Sequence, residues 1–197
     1  TDYLKKEQPE NPVLFFAPSA AQAAARRFID GFPGLVTYAV KSNPGEAMVE
    51  NLAAAGVRGF DCASPFEIDL IRRLAPDAAI HYHNPVRARS EIAYAVARNV
   101  KSWSVDSHSE LDKLIEMVPT AGCEISVRFK LPVSGAAYNF GTKFGGERSE
   151  RLDGRLPTRG QFLRPKLYVE RVWPFGGKPL LCQCRSRSIG GRPLVER

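Results

Sequence analysis

Long apolar runs are missing from this 197-residue chain. No stretch approaches the roughly 18 consecutive apolar residues of a membrane-spanning helix, so no span and no membrane partner are expected. The first ten residues are polar and lack the apolar centre of a secretory signal. Cysteine is scarce as well. Cys62, Cys123, Cys182 and Cys184 show neither a disulfide framework nor zinc-ligand spacing, and the Cys182-Gln183-Cys184 pair is too tight and lacks a second ligand pair. No metal site is expected, and a reducing, cytoplasmic setting is. What is present is ordinary for a globular chain: 44% hydrophobic and 25% charged residues.

Charge is unevenly placed. The net +7 resides in residues 147–197, which hold 12 basic against 5 acidic residues, and residues 1–146 balance at 16 and 16. Ten of those 12 basic residues are arginine, and 11 of the 51 positions are Pro or Gly. Two compositions meet near residue 146.

Residues 1–34 read as a lead-in segment. From Leu35 onward a unit repeats. Short apolar runs at Leu35–Val40, Arg58–Cys62, Ala79–Tyr82, Ser102–Val105 and Glu124–Phe129 are spaced as a strand, a helix and two short loops require. The helical patterns between them carry their own punctuation. Met48, Val49, Leu52 and Ala53 share a face, and Gly56 stops that helix. Ser64-Pro65-Phe66-Glu67 reads as N-cap, first-turn proline and capping-box glutamate, and Ser107-His108-Ser109-Glu110 reads as a second capping box.

Strand and helix alternating at constant period predict parallel strands joined by right-handed crossovers. No Gly-rich fingerprint follows the first strand, as an open dinucleotide-binding sheet would usually show. Instead Lys41, Asp61, Asn84, Asp106 and Arg128 collect at strand ends, where a (β/α) barrel keeps its chemistry. Five units are visible where a closed barrel needs about eight. The tail offers only two strand-like pieces, Leu167-Tyr168-Val169 and Leu180-Leu181-Cys182.

The sharpest chemical candidate is Lys41, in Tyr38-Ala39-Val40-Lys41-Ser42-Asn43-Pro44. Strand alternation puts Ala39 and Lys41 on one face. With Ala39 inside a barrel, Lys41 enters the mouth between apolar walls, and partial desolvation favours the neutral amine that condenses with an aldehyde. On position alone it reads first as a surface lysine at a strand end.

The segment resembles the Tyr-Ala-Val-Lys-x-Asn signature of the ornithine/diaminopimelate/arginine decarboxylase family. Further segments are similar to family motifs in the same order: Gly59-Phe60-Asp61-Cys62-Ala63-Ser64-Pro65-Phe66-Glu67-Ile68, then His83-Asn84-Pro85-Val86, then Val105-Asp106-Ser107 with Glu110-Leu111, then Val127-Arg128-Phe129 and Gly141-Thr142-Lys143-Phe144-Gly145. In the third segment the family usually has a lysine where this chain has Val86 or Arg87.

The resemblance implies an α/β fold: the front part, about five of eight units, of an alanine-racemase-like TIM barrel over 35–146, with the C-terminal β-domain absent. It implies pyridoxal 5'-phosphate as cofactor, Lys41 as its carrier, and Asp61 and Arg128 beside it, these two being equally readable as a structural ion pair. Glu67 matches an active-site carboxylate but is readable as the closure of its own helix cap. Lys143 is a candidate for ordering a loop near the site. His81 and His83 share a strand face and read as core or rim residues.

The activity implied is decarboxylation of a small amino acid, ornithine to putrescine before lysine, diaminopimelate or carboxynorspermidine, in a homodimer. The family's ring-stacking histidine, Gly-rich phosphate loop and ring-nitrogen glutamate have no counterpart after Gly146. Residues 147–197 are therefore expected to be an out-of-frame, disordered tail, and this chain to show little or no turnover. A non-catalytic, decarboxylase-like regulator is the competing class. The arginines near Phe162, Tyr168, Trp173 and Phe175 form no recognised nucleic-acid motif, so no such partner is expected.

Overall fold

A computed structural model describes residues 2–119 and 122–128, and the backbone of residues 166–167, 170–175 and 178–183. The repeat seen in the sequence becomes a parallel sheet: β1 (Thr37–Ala39), β2 (Gly59–Cys62), β3 (Ala79–Tyr82), β4 (Ser102–Val105) and β5 (Glu124–Val127), in that spatial order. A two-residue β6 (Lys166–Leu167) extends it beside β5, a sixth strand supplied by the arginine-rich region. An antiparallel pair follows, β7 (Glu170–Phe175) and β8 (Lys178–Gln183).

Ahead of β1 come α1 (Asp2–Glu7) and α2 (Pro18–Gly31), and the crossovers are α3 (Glu46–Ala54), α4 (Pro65–Leu74), α5 (Arg89–Ala97) and α6 (His108–Met117). The lead-in is therefore partly helical. Pro18 starts α2 and alanines carry it, and it packs on α3 with Gln22 Nε2 donating to Asn51 Oδ1 at 2.7 Å.

Helix ends follow local chemistry. The α3 stop is a Schellman motif: Gly56 has φ +104°, its N–H donates to the Ala53 carbonyl, and that of Val57 donates to Leu52. Asn99, at φ 57°, ends α5 in the same way, with Val100 N–H reaching Ala95. Ser64 caps α4, its Oγ accepting from Glu67 N–H at 3.3 Å, while the Glu67 carboxylate accepts from Ala63 N–H at 2.7 Å. The box expected at α6 is not made. Ser107 contacts Ser109, and Glu110 turns inward to a buried arginine, Arg87, and to Lys113. A buried guanidinium outbids a surface cap for that carboxylate.

The sheet has two unlike faces. Phe60, Cys62, Ile80, Tyr82, Trp103, Val105 and Ile125 form the helix-covered face and pack against Val49, Leu52, Ile68, Ile71, Ile92, Leu111 and Leu114. The in-register residues of the opposite face are Thr37, Ala39, Gly59, Asp61, His81, Ser102, Ser104 and Ser126, small or polar throughout. A barrel interior is normally filled by branched apolar side chains. This one is wired with hydroxyls and imidazoles instead.

Candidate active site

Parallel strands bring their C-terminal ends to one edge, and four expected residues lie there: Lys41 just past β1, Asp61 in β2, Glu67 in the first turn of α4, and Arg128 directly after β5. Lys143 lies outside the described residues.

Lys41 sits differently from the sequence expectation. The strand ends at Ala39, and Val40–Ser42 form a single 3-10 turn, so alternation does not extend to the lysine. Val40 is buried, and Lys41 is exposed rather than walled by apolar groups. Pro44 explains the early stop, because the residue before a proline is pushed to extended geometry, and Asn43 closes the turn there. Two bonds hold this turn. Tyr38 Oη donates to the Asn43 carbonyl at 3.2 Å, and Asn43 Oδ1 accepts from Gly45 N–H at 3.0 Å. Burial raises the Tyr38 phenol above its ordinary range, with the bond to Asn43 opposing, so it stays a donor at neutral pH.

Asp61 and Arg128 approach the same residue, His83. Asp61 Oδ1 is 3.8 Å from His83 Nδ1, and Arg128 Nη1 donates to the His83 carbonyl at 3.4 Å. Ser104 Oγ donates to that carbonyl at 2.8 Å. His83 Nε2 lies 3.5 Å from Ser102 Oγ, which is 2.9 Å from His81 Nδ1. The site is thus a carboxylate and a guanidinium held across four strands, with an amine at the end of a fifth. Glu67 gives one carboxylate oxygen to the Ala63 N–H, which fixes the loop after Asp61.

The sequence reading placed His83 at the core or rim without linking it to the site. The available signal was the two-residue alternation in β3 to β5, where each polar residue (His81, His83, Ser102, Ser104, Ser126 and Arg128) is separated from the next by an apolar one.

Opposite this edge, at the strands' N-terminal ends, a cavity of about 670 Å³ is lined by Arg72, Asp77, His81, Arg98, Lys101 and Glu124, among others. Its guanidinium Arg72 is engaged with the carbonyls of Pro76, Ala78 and Arg98. Among the described residues no helix is long and apolar enough to cross a membrane.

Comparison with known proteins converges on one family. A family model described as "Pyridoxal-dependent decarboxylase, pyridoxal binding domain" matches residues 19–157. Ornithine decarboxylase of Rattus norvegicus is 40% identical over 109 residues, 55% of this chain and 23% of the relative. Lysine/ornithine decarboxylase of Selenomonas ruminantium is 34% identical over 119 residues, 60% of this chain and 30% of the relative. The crystal structure of the Paramecium bursaria Chlorella virus arginine decarboxylase superposes with a TM-score of 0.60 at 26% identity, covering 68% of this chain and 36% of that one. The chain spans about a quarter of the length of such curated relatives. Its partial parallel barrel, the lysine-bearing strand end and the matched pyridoxal-binding domain together make it a member of the pyridoxal-dependent ornithine/arginine decarboxylase family.

Proposed function

We propose that this chain is the front portion of a pyridoxal-phosphate-dependent decarboxylase of basic amino acids, with Lys41 as the cofactor's carrier and L-ornithine as the substrate, giving putrescine and carbon dioxide. The observation that carries it is the position of Lys41. A primary amine stands at the C-terminal end of β1, in a turn pinned by Tyr38, on the same edge as Asp61 and Arg128.

The residues present fit the aldehyde end of the cofactor: an accessible amine to condense with it, and a carboxylate and a guanidinium to set the local charge. Pyridoxal phosphate, when bound, supplies the electron sink that lets carbon dioxide leave an α-amino acid. The protein's share is orientation. Tyr38 and Asn43 hold the Lys41 backbone, the α4 cap fixes the loop after Asp61, and Arg128 is anchored through a main-chain carbonyl. Ornithine is favoured over lysine by the ornithine decarboxylases among the relatives. A homodimer, a cytoplasmic location, the placing of Lys143 near the site and the out-of-frame origin of residues 147–197 belong to the same proposal, as does weak turnover by this chain alone.

The test is covalent capture. The full chain is mixed with pyridoxal phosphate, reduced with borohydride and mapped by peptide mass. The adduct is expected on Lys41 and lost in Lys41→Ala. Equal labelling of exposed Lys5, Lys6 and Lys101, or none anywhere, would overturn the assignment.

A further inference from the structure

His83 has no assigned part in the proposed site, yet both flanking groups are organised around it. It lies one residue past β3, is 7% exposed, and has its backbone N–H bonded to the Cys62 carbonyl of β2 at 3.3 Å. On the other side its carbonyl accepts from Ser104 of β4 and Arg128 after β5. Its ring lies between the Asp61 carboxylate and the Ser102 hydroxyl. The ring centroid of His81 is 5.4 Å away, on the same face.

Of the two neutral tautomers of His83, one suits this chain better. With a proton on Nδ1, His83 presents N–H to the Asp61 carboxylate, and Nε2 is left to accept from Ser102 Oγ–H. Ser102 oxygen in turn accepts from His81 Nδ1–H at 2.9 Å. In the other neutral tautomer Ser102 oxygen could accept from Nε2–H, but a ring lone pair is turned toward the Asp61 carboxylate, so the carboxylate selects the first. The Nδ1 to Oδ1 separation of 3.8 Å is an electrostatic contact, longer than a hydrogen bond.

We infer that His83 is a positioning residue that orients Asp61 through its ring and Arg128 through its carbonyl, so that both meet the cofactor carried by Lys41. This rests on the proposed function for what Asp61 and Arg128 do, but the His83–Asp61 relationship is measurable without any cofactor. Such a residue acts through its neighbours and needs no contact with the reacting atoms.

The first measurement uses the unaltered chain. A long-range proton–nitrogen spectrum, assigned by loss of the signal in His83→Gln, reports which ring nitrogen carries the proton. Nδ1–H is expected, and a neutral Nε2–H tautomer overturns the inference. The second compares two substitutions. His83→Asn keeps an N–H near the Nδ1 position, whereas His83→Gln reaches only toward the Nε2 position. The Asp61 carboxyl carbon resonance, assigned by its loss in Asp61→Asn, is expected to shift in the Gln variant and to return in the Asn variant. Cofactor affinity at Lys41 should follow it, with a loss of about tenfold in Gln that Asn largely restores. A purely structural histidine would leave the two variants alike in both readouts, and that result overturns the inference. If the unaltered chain captures no cofactor on Lys41, the decarboxylase proposal fails, and the tautomer and the carboxyl resonance still decide the role of His83.

Discussion

Arg87 and Glu110 form a buried ion pair, Nη2 to Oε2 3.6 Å, with side chains 0% and 7% exposed. The guanidinium also donates to the Tyr82 carbonyl at 3.1 Å and the Ser104 carbonyl at 2.7 Å, and lies over the Tyr82 and Trp103 rings at 5.5 and 5.7 Å. The β3–β4 ladder pairs only His81 with Ser102 and Tyr82 with Trp103. Beyond it, side chains take over: Arg87 ties the two strands through their carbonyls, and Ser104 Oγ closes on His83. Burial pulls the Arg87 guanidinium below its ordinary pKa, Glu110 opposes that, and the group stays charged at neutral pH.

Breaking this pair from either side is expected to be costly. Arg87→Met leaves Glu110 buried with Lys113 alone, and Glu110→Ala leaves the guanidinium facing carbonyls and rings. Each should lose about 3–5 kcal/mol in urea unfolding, and the double replacement Arg87→Met with Glu110→Leu should lose less than the two single losses combined. Losses below about 1 kcal/mol would show that the pair behaves like an exposed one.

The misreading at Glu110 shows where sequence logic stops. Ser-x-x-Glu is a local signature, and nothing local reveals that Arg87 lies across the helix–sheet interface to claim the carboxylate. The parallel sheet was legible because every strand and crossover carries its own periodicity, and the Gly56 stop and the Ser64 cap were legible because each is decided within a few residues. Lys41 was only half legible: its motif and strand-end position were, but its side was inferred from alternation that a 3-10 turn interrupts two residues early. His83 was illegible as an organiser, because its partners Asp61, Ser104 and Arg128 come from three other units of the repeat.

Gly59 is a tightly packed point of the inner face. A Cβ there would stand 2.7 Å from Thr37 Cγ2, 3.3 Å from Leu35 Cδ2 and 3.4 Å from His81 Nε2. Gly59→Val should therefore push β1 away from β2 and cost about 1–3 kcal/mol by thermal unfolding. Pairing Gly59→Ala with Thr37→Ser removes the obstructing methyl and should recover most of the loss of Gly59→Ala alone. A Gly59→Ala chain as stable as the parent would contradict the packing described.

Alkaline pH should weaken the fold before it affects the surface ion pairs. Burial raises the Cys62 thiol well above its ordinary 9.0, and raises the Tyr82 phenol from 10.0 to about 12. Both groups are neutral when protonated, so the unfolded chain releases these protons first as pH rises, and the equilibrium moves toward it. Stability is complete below about pH 9 and declines from there toward about pH 12, by up to about 1.4 kcal/mol per pH unit for each group. Cys62→Ala should flatten the first part of that decline, between about pH 9 and 10. An identical slope in the variant, read from urea midpoints across the range, would assign the decline to other groups.

Glu67 separates a structural duty from a chemical one. Its carboxylate accepts from Ala63 N–H and its own N–H donates to Ser64 Oγ, so both halves of the motif close the start of α4. That start sits directly after Asp61 and Cys62, so fraying it would loosen the loop behind the proposed cofactor group. Glu67→Ala is then expected to cost about 1 kcal/mol and to reduce capture at Lys41 indirectly. Glu67→Gln retains an acceptor at nearly the same reach, and should keep capture at Lys41 and most of the stability. The decisive outcome is a Gln variant with parental thermal stability and no capture, because a neutral amide can serve the cap but cannot replace a carboxylate acting on the cofactor.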